Sequence, residues 1–340
     1  MAAPPDSERR GILAGGNFII DYVKIIDGWP GQDMLTSILS ESSSNGGGPY
    51  NVLKDFAALG VDLPLEAVGV IGNDTNGHWI VRDCEEHAIN TRQLHRHARA
   101  PTSYTDAMTV ESTGRRTFFH QRGANAFLGS DHFDFARTSA KLFHLGYLML
   151  LDRMDEVRPD GTTEAAEVLT AAQEAGLITS VDCVSTEDPR FTDVAIAAMP
   201  HADYFIANET EASLILGRKL CAEDAEELTT AAGELCATGN CGAAIIHTEF
   251  GAVAADRSGE SHHAAALLVP QDQIKGATGA GDAFATGLLY GIHEERPLSE
   301  SLGFGVSVAA ASLNDPTPSG GIQSLAECVR MSEVFPKRDF

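Results

Sequence analysis

Gly279, Ala280 and Gly281 stand directly before Asp282, inside the run Lys275-Gly-Ala-Thr-Gly-Ala-Gly-Asp-Ala-Phe-Ala-Thr-Gly-Leu-Leu-Tyr-Gly. Phe284, Leu288 and Ile292 recur at helical spacing, which predicts a helix opening around Ala280–Asp282. A glycine turn that opens a helix offers unpaired amides and the positive end of the helix dipole, and together these receive an anion. Asp282 places a carboxylate in that first turn. A phosphate on the amides and a hydroxyl on Asp282 describe phosphoryl transfer, where positioning and charge stabilisation carry most of the catalysis. The dipole is expected to lower the Asp282 pKa and leave it a weak ground-state base. A loose transition state, in which the hydroxyl proton leaves late, tolerates that. A capping acid after an ordinary turn is the plainer alternative, but it leaves unexplained why small residues, acid and apolar helix coincide. No GxxxxGK[ST] occurs, so a P-loop is excluded as the cradle.

Weaker candidates lie upstream. Asn208 and Glu211 are three apart, on one face of a helix that follows the apolar run Tyr204–Ala207. An amide beside a carboxylate is hard-oxygen chemistry suited to Mg2+ through waters, and equally an N-cap with a first-turn acid. Asn17 and Asp21 offer donors and acceptors for vicinal hydroxyls; a surface turn is the alternative. Gly46-Gly-Gly-Pro-Tyr-Asn51 heads an apolar-periodic helix, which favours a site over a flexible loop. Asp182 closes a strand, either near the phosphates or as an ordinary loop acid. His144 and His247 read as satisfied core histidines, while adjacent His262 and His263 face opposite ways on a strand. His95 and His97, among Arg92, Arg96 and Arg99, read as a solvated basic patch.

These residues need a scaffold. Strands are predicted at Ile12–Ile20, Leu65–Ile71, Lys141–Leu145, Ile178–Cys183, Tyr204–Ala207 and Ala243–His247. Helices are predicted at Asn51–Leu59, Trp79–His87, Thr163–Ala175, Glu209–Leu216 and Ala222–Cys236. The alternation implies βαβ units and a mainly parallel sheet, which binds ligands beyond the carboxyl ends of its strands. Two segments break the rhythm. Asp21–Gly48 has a serine-rich centre, and Thr102–Gln121 alternates around a glycine turn like a β-hairpin. Together they are expected to form a small β lid, which excludes water from the reaction.

The 340 residues carry 24 Lys+Arg against 48 Asp+Glu, a net charge of −24, which argues against nucleic acid or an anionic membrane as partner. No apolar run approaches the roughly 18 residues of a membrane span. The start, MAAPPDSERR, leads into a glycine-broken stretch without a signal-peptide pattern. Six scattered cysteines form no CxxC pair or zinc spacing. A soluble, cytoplasmic protein is expected.

Gly279-Ala-Gly-Asp282-Ala-Phe resembles the second signature of the PfkB, or ribokinase-like, carbohydrate kinases, and the resemblance runs along nearly the whole chain. Gly15-Gly-Asn-Phe-Ile-Ile-Asp21, Gly46-Gly-Gly-Pro-Tyr-Asn51, Val68-Gly-Val-Ile-Gly-Asn-Asp74-Thr-Asn-Gly77 and Asn208-Glu-Thr-Glu211 match further family motifs in order. The resemblance implies a three-layer α/β/α fold over a mainly parallel central sheet with a small β-strand lid, as one kinase domain over 1–340 with lid excursions at about 21–48 and 102–125. It implies transfer of the ATP γ-phosphoryl group to a sugar or sugar-like hydroxyl, with Mg2+. Asp282 would be the base, and Gly279, Ala280 and Gly281 would stabilise the transferring charge. Asn17, Asp21, Gly47 and Asn51 would hold the acceptor, with Arg122 of the lid as a further contact. Asn208, Thr248, Gly251 and Thr278 would line the nucleotide, and Asn208 and Glu211 would place the metal. Gly276-Ala277 replaces the family's Asp-Thr, which counts against potassium activation. Thr248-Glu-Phe-Gly251 and bulky Tyr50 depart from the family at the donor and acceptor pockets. The alternatives are a nucleoside acceptor, gripped by Tyr50, Tyr104 and Phe118/Phe119, or a non-catalytic sugar or nucleotide sensor. Exposed lid strands would suit a homodimer.

Overall fold

Residues 9–340 are described by a computed structural model. The first eight, with most of MAAPPDSERR, lie outside the described residues. Apolar runs between turn residues build the central strands: β1 (Ile12–Gly16), then β4 (Leu65–Gly72), β5 (Ile89–His97), β8 (Leu142–Leu148), β9 (Ile178–Cys183), β10 (Tyr204–Asn208) and β11 (Ala243–His247). These run parallel, and an antiparallel ribbon, β12 (Gly251–Asp256) and β13 (Ser261–Ala265), closes one edge. The nine strands lie in the order β13-β12-β11-β10-β9-β8-β1-β4-β5.

Both faces are covered, so successive residues of a strand enter different cores. Leu13 packs with α3 (Glu164–Glu174), α4 (Phe191–Ala198), α5 (Glu209–Leu216) and α6 (Ala225–Gly239). Its neighbours Ile12 and Ala14 pack with α1 (Gly48–Leu59), α2 (Thr75–Glu86), α7 (Ala280–His293), α8 (Leu298–Ser312) and α9 (Leu325–Val334). Helix ends follow local chemistry: Asp74, Thr163 and Asp224 cap α2, α3 and α6 with their side chains, and left-handed Gly60 and Gly217 end α1 and α5.

The two excursions form one sheet. β2 (Ile19–Ile26), β3 (Ile38–Gly46), β6 (Tyr104–Val110) and β7 (Arg116–Gln121) order as β3-β2-β6-β7, with β2 and β6 parallel and the outer pairs antiparallel. The strand expected over Ile12–Ile20 is therefore two strands in two sheets. Gly16, at φ 133°, lies against the Gly146 carbonyl, Asn17 donates its amide to that carbonyl at 3.0 Å, and the chain leaves for the lid.

Candidate active site

The carboxyl ends of β1, β8, β9 and β10 deliver Asn17, Tyr147, Asp182 and Asn208, and α7 brings Asp282 beside them. Gly279 caps α7 at φ 78°, a left-handed conformation that suits glycine, and its hydrogen faces Pro318 where a Cβ would collide. The Ala280 amide reaches the Ala277 carbonyl at 3.3 Å. The next amides, of Gly281 and Asp282, have no carbonyl partner within a helix, and they form the anion-receiving end.

Asp282 is 5% exposed. Its Oδ2 accepts from Asn51 Nδ2 at 2.7 Å, and its Oδ1 accepts from the Tyr147 hydroxyl at 2.5 Å. Burial, then the charge of Asp182, push its pKa up to about 7, against the two hydrogen bonds. This corrects the expectation of a depressed pKa: the helix dipole is legible in a sequence, whereas burial and a carboxylate from β9 are not. A buried carboxyl near neutrality is a competent base.

Three glycines seat the neighbours. A Cβ on Gly46 would strike the Asp21 carboxylate, one on Gly47 (φ 91°) the Asn17 carbonyl, and one on Gly48 the Tyr147 ring at 2.8 Å. The run is thus a packed floor rather than a flexible loop. Asn17 accepts from the Tyr147 amide at 2.9 Å, while its own Nδ2 is buried without a partner. Asn51 accepts from Asn45 Nδ2 at 2.7 Å, which ties the end of lid strand β3 through Asn51 to Asp282. Burial, then the charge of Asp282, raise Asp21 to about 7.

Lid register decides which side chains face inward, because paired residues share a face. Asp21, Thr105 and His120 align, then Val23, Ala107 and Phe118, then Ile25, Thr109 and Arg116. On this face Ser44 Oγ, Thr109 Oγ1 and His120 Nε2 are buried without partners among the described residues. With Asn17 Nδ2, Asn125 Oδ1 and Asp182 Oδ1 they leave unmet hydrogen-bonding capacity around the strand ends, which a polyhydroxyl ligand would satisfy. Tyr104, Asp106 and Gln121 share the opposite face.

Arg116 was not apparent as a site residue from the sequence. It ends the inner face of the lid and donates to Thr278 Oγ1, next to the amides of α7. Its side chain is largely exposed, and partial desolvation of the guanidinium lowers its pKa. Tyr147 was missed as well: its strand was expected to end at Leu145 but runs on to Leu148. Arg122 bonds the Met149 carbonyl at 2.9 Å and pairs with Asp152 at 2.7 Å, so it is tied to the loop after β8.

Asn208 and Glu211 form a reciprocal capping box on α5. Ser185 Oγ occupies the other Glu211 oxygen at 2.8 Å, and burial raises Glu211 to about 8. Among the described residues no cluster of three or more His, Cys, Asp or Glu is placed to hold a metal ion. The donors present, Asn208, Glu211 and Asp182 with its free oxygen, suit a hydrated cation carried on phosphates. Thr248 closes a tight turn, its hydroxyl donating to Ala222 O at 3.0 Å and its amide to Gly251 O at 2.8 Å. His144 is buried but half-satisfied, contrary to expectation: Nδ1 meets Ser180 at 2.9 Å, and Nε2 lies 3.5 Å from Asp182 without a hydrogen bond. His247 packs on Phe284 with ring centroids 5.1 Å apart.

A buried carboxyl in the first turn of a helix, under a polar lid, is the arrangement that a phosphotransferase of small hydroxyl compounds would need. Residues 12–324 match the pfkB family carbohydrate kinase domain, and the chain belongs to that family. It is an ATP-dependent kinase acting on a sugar hydroxyl. A curated relative, the ATP-dependent ribose-1-phosphate kinase of Halopiger xanaduensis, is 28% identical over 279 residues, 82% of this chain and 83% of the relative. Ribokinase from Arabidopsis thaliana, solved with ribose and ATP, superposes with a TM-score of 0.78 at 18% identity, covering 95% of this chain and 98% of that one. The nucleoside kinase of Methanocaldococcus jannaschii superposes with a TM-score of 0.72 at 16% identity, covering 96% and 99%. Among the described residues no helix is long and apolar enough to cross a membrane.

Proposed function

We propose that Asp282 accepts the proton of a pentose hydroxyl as that oxygen attacks the γ-phosphorus of ATP, whose bond to the β,γ-bridging oxygen breaks to release ADP. The carrying observation is the Asp282 carboxylate, buried in the first turn of α7 and held by Asn51 and Tyr147. The amides at Gly279–Gly281 and Asp282, with Arg116 brought by the lid, stabilise the charge on the transferring oxygens. Asn17, Asp21, Gly47 and Asn51 hold the sugar hydroxyls, and Arg122 braces the lid base beside them. Thr248, Gly251, Thr278 and Asn208 line the nucleotide. Asn208, Glu211 and Asp182 would hold hydrated Mg2+, which would neutralise phosphate charge. The whole chain acts as one kinase domain, in the cytosol, where its six free thiols stay reduced.

Similarity to the Halopiger ribose-1-phosphate kinase supports ribose 1-phosphate as an acceptor to test first. The nucleoside reading loses its aromatic clamp. Tyr50 is fully buried and bonded to Asp83, Tyr104 packs on Tyr22, and Phe119 stacks on Trp29, which leaves Phe118 on the inner face. The exposed Trp29, Leu35 and Ile38, beside the edge strands β3 and β7, support a homodimer through the lid. Sedimentation tests it; a monomer at micromolar concentration would exclude it.

The deciding experiment is coupled ADP release with Mg-ATP over ribose, ribose 1-phosphate and nucleosides, with Asp282→Asn in parallel. Turnover with a pentose that the variant loses by about 10³-fold is expected. Equal turnover by the variant would remove Asp282 as base, and silence with every acceptor while ATP still binds would favour the sensor reading.

A further inference from the structure

We propose that Tyr147 is the positioning residue of the base, fixing the Asp282 carboxylate in the orientation that meets the acceptor hydroxyl. The inference rests on Asp282 being that base. Tyr147 is locked at three points. Its amide donates to Asn17 Oδ1 at 2.9 Å, its ring lies over Gly48, and its hydroxyl donates to Asp282 Oδ1 at 2.5 Å. The opposite oxygen of Asp282 is held from α1 by Asn51. Two donors on different elements therefore set the carboxylate plane, and one of them also contacts a residue that faces the sugar. Acceptor and base share a reference point.

The phenol does what packing alone cannot. Asp282 is faced by Asp182 from β9, Asp21 from β2, Asp55 from α1 and His144 from β8. Three of these four neighbours are acids. In that setting a donor on Oδ1 favours the charged carboxylate, which alone can take a proton. Burial and Asp282 hold the phenol's own pKa well above its usual value, so it remains a donor throughout the working range. Without it, Oδ1 would be buried beside acids with no donor, and the carboxyl would be free to turn.

The test is Tyr147→Phe, which keeps the ring on Gly48. Its melting temperature confirms folding. ADP release with Mg-ATP is measured from pH 5 to 9, using ribose or ribose 1-phosphate, whichever the wild type phosphorylates. The expected result is a kcat about 10- to 100-fold lower with acceptor KM within about threefold, as for loss of a hydrogen bond to a charged group. The acid limb of kcat moves up by about one to two pH units. An unchanged kcat overturns the proposal, and so does a lower kcat with the limb unmoved, because that would mark a packing role. Asp282→Asn assayed alongside separates the two readings: if it turns over normally, the base assignment fails first.

Discussion

Burying a carboxylate that must shed its proton destabilises the folded chain wherever the group is charged. Asp282 has a folded pKa of about 7 against an ordinary value of 3.8. Between those values the folded state binds more protons than the unfolded one, so its stability contribution is complete below about pH 4 and is lost as pH rises through about 7. Asp21, at about 7, and Glu211, at about 8, act in the same direction. Asp282→Asn removes the penalty, although its amide would then oppose the Asn51 amide and offset part of the gain. The variant is expected to melt higher than wild type at pH 8 and by a smaller margin at pH 5, while losing about 10³-fold in turnover. Thermal melts at both pH values check it, and a lower melting point at pH 8 would contradict the burial account. Wild-type kcat is expected to fall below about pH 7, as the base becomes protonated.

The lid is the element that carries chemistry from two sides. β3 ends in Asn45, bonded to Asn51, and β7 carries Arg116 to Thr278. Arg116→Leu is expected to lower kcat by about 10²-fold while Mg-ATP affinity, read by calorimetry, changes less than about threefold, since its charge matters most when phosphate charge develops. Equal losses in binding and turnover would assign it to ground-state binding. Gly46→Ala needs no unusual backbone angle, yet its Cβ would meet the Asp21 carboxylate. It is expected to raise acceptor KM by about tenfold or more with Mg-ATP KM unmoved, which initial-rate kinetics resolve. The elements themselves were unevenly legible. Ile178–Cys183, Glu209–Leu216 and Ala243–His247 lie where their apolar pattern placed them, because the two strands are buried almost throughout and the helix buries one face and ends at Gly217. The edge ribbon β12–β13 and the exact join of β1 to β2 were not, because β12 is a short run of small residues, β13 is short and half-exposed, and the break at Asn17 depends on Gly146, distant in sequence. For the same reason Asp282 was evident as a candidate base and Tyr147 was not: one announces itself by its neighbours in sequence, the other by a contact 135 residues away.

Across the whole molecule, 48 acidic side chains face 24 Lys and Arg, and apart from buried acids such as Asp55, Asp182 and Asp282 the negative excess sits on the surface. Opposite charges do pair there, as in Arg153–Asp131 at 2.7 Å and Arg218–Glu234 at 2.8 Å, but these partners are well exposed. Such pairs contribute about 0–1 kcal/mol each and weaken as salt screens them. The unpaired excess acts the other way. It repels itself in the compact state more than in the expanded chain, and the repulsion is long-ranged at low salt, where the screening length is about 30 Å at 0.01 M, and short-ranged at 1 M, where it is about 3 Å. Two opposing dependences on salt therefore meet. With half of the acids lacking any cationic counterpart, the repulsive one dominates. The melting temperature is expected to rise from 0.01 M to 1 M KCl at pH 7.5, and the rise should shrink at pH 5, where part of the carboxylate charge is lost. A melting temperature that falls with KCl would mean that the surface ion pairs outweigh the net charge, and that acidity contributes nothing to the salt response of this fold.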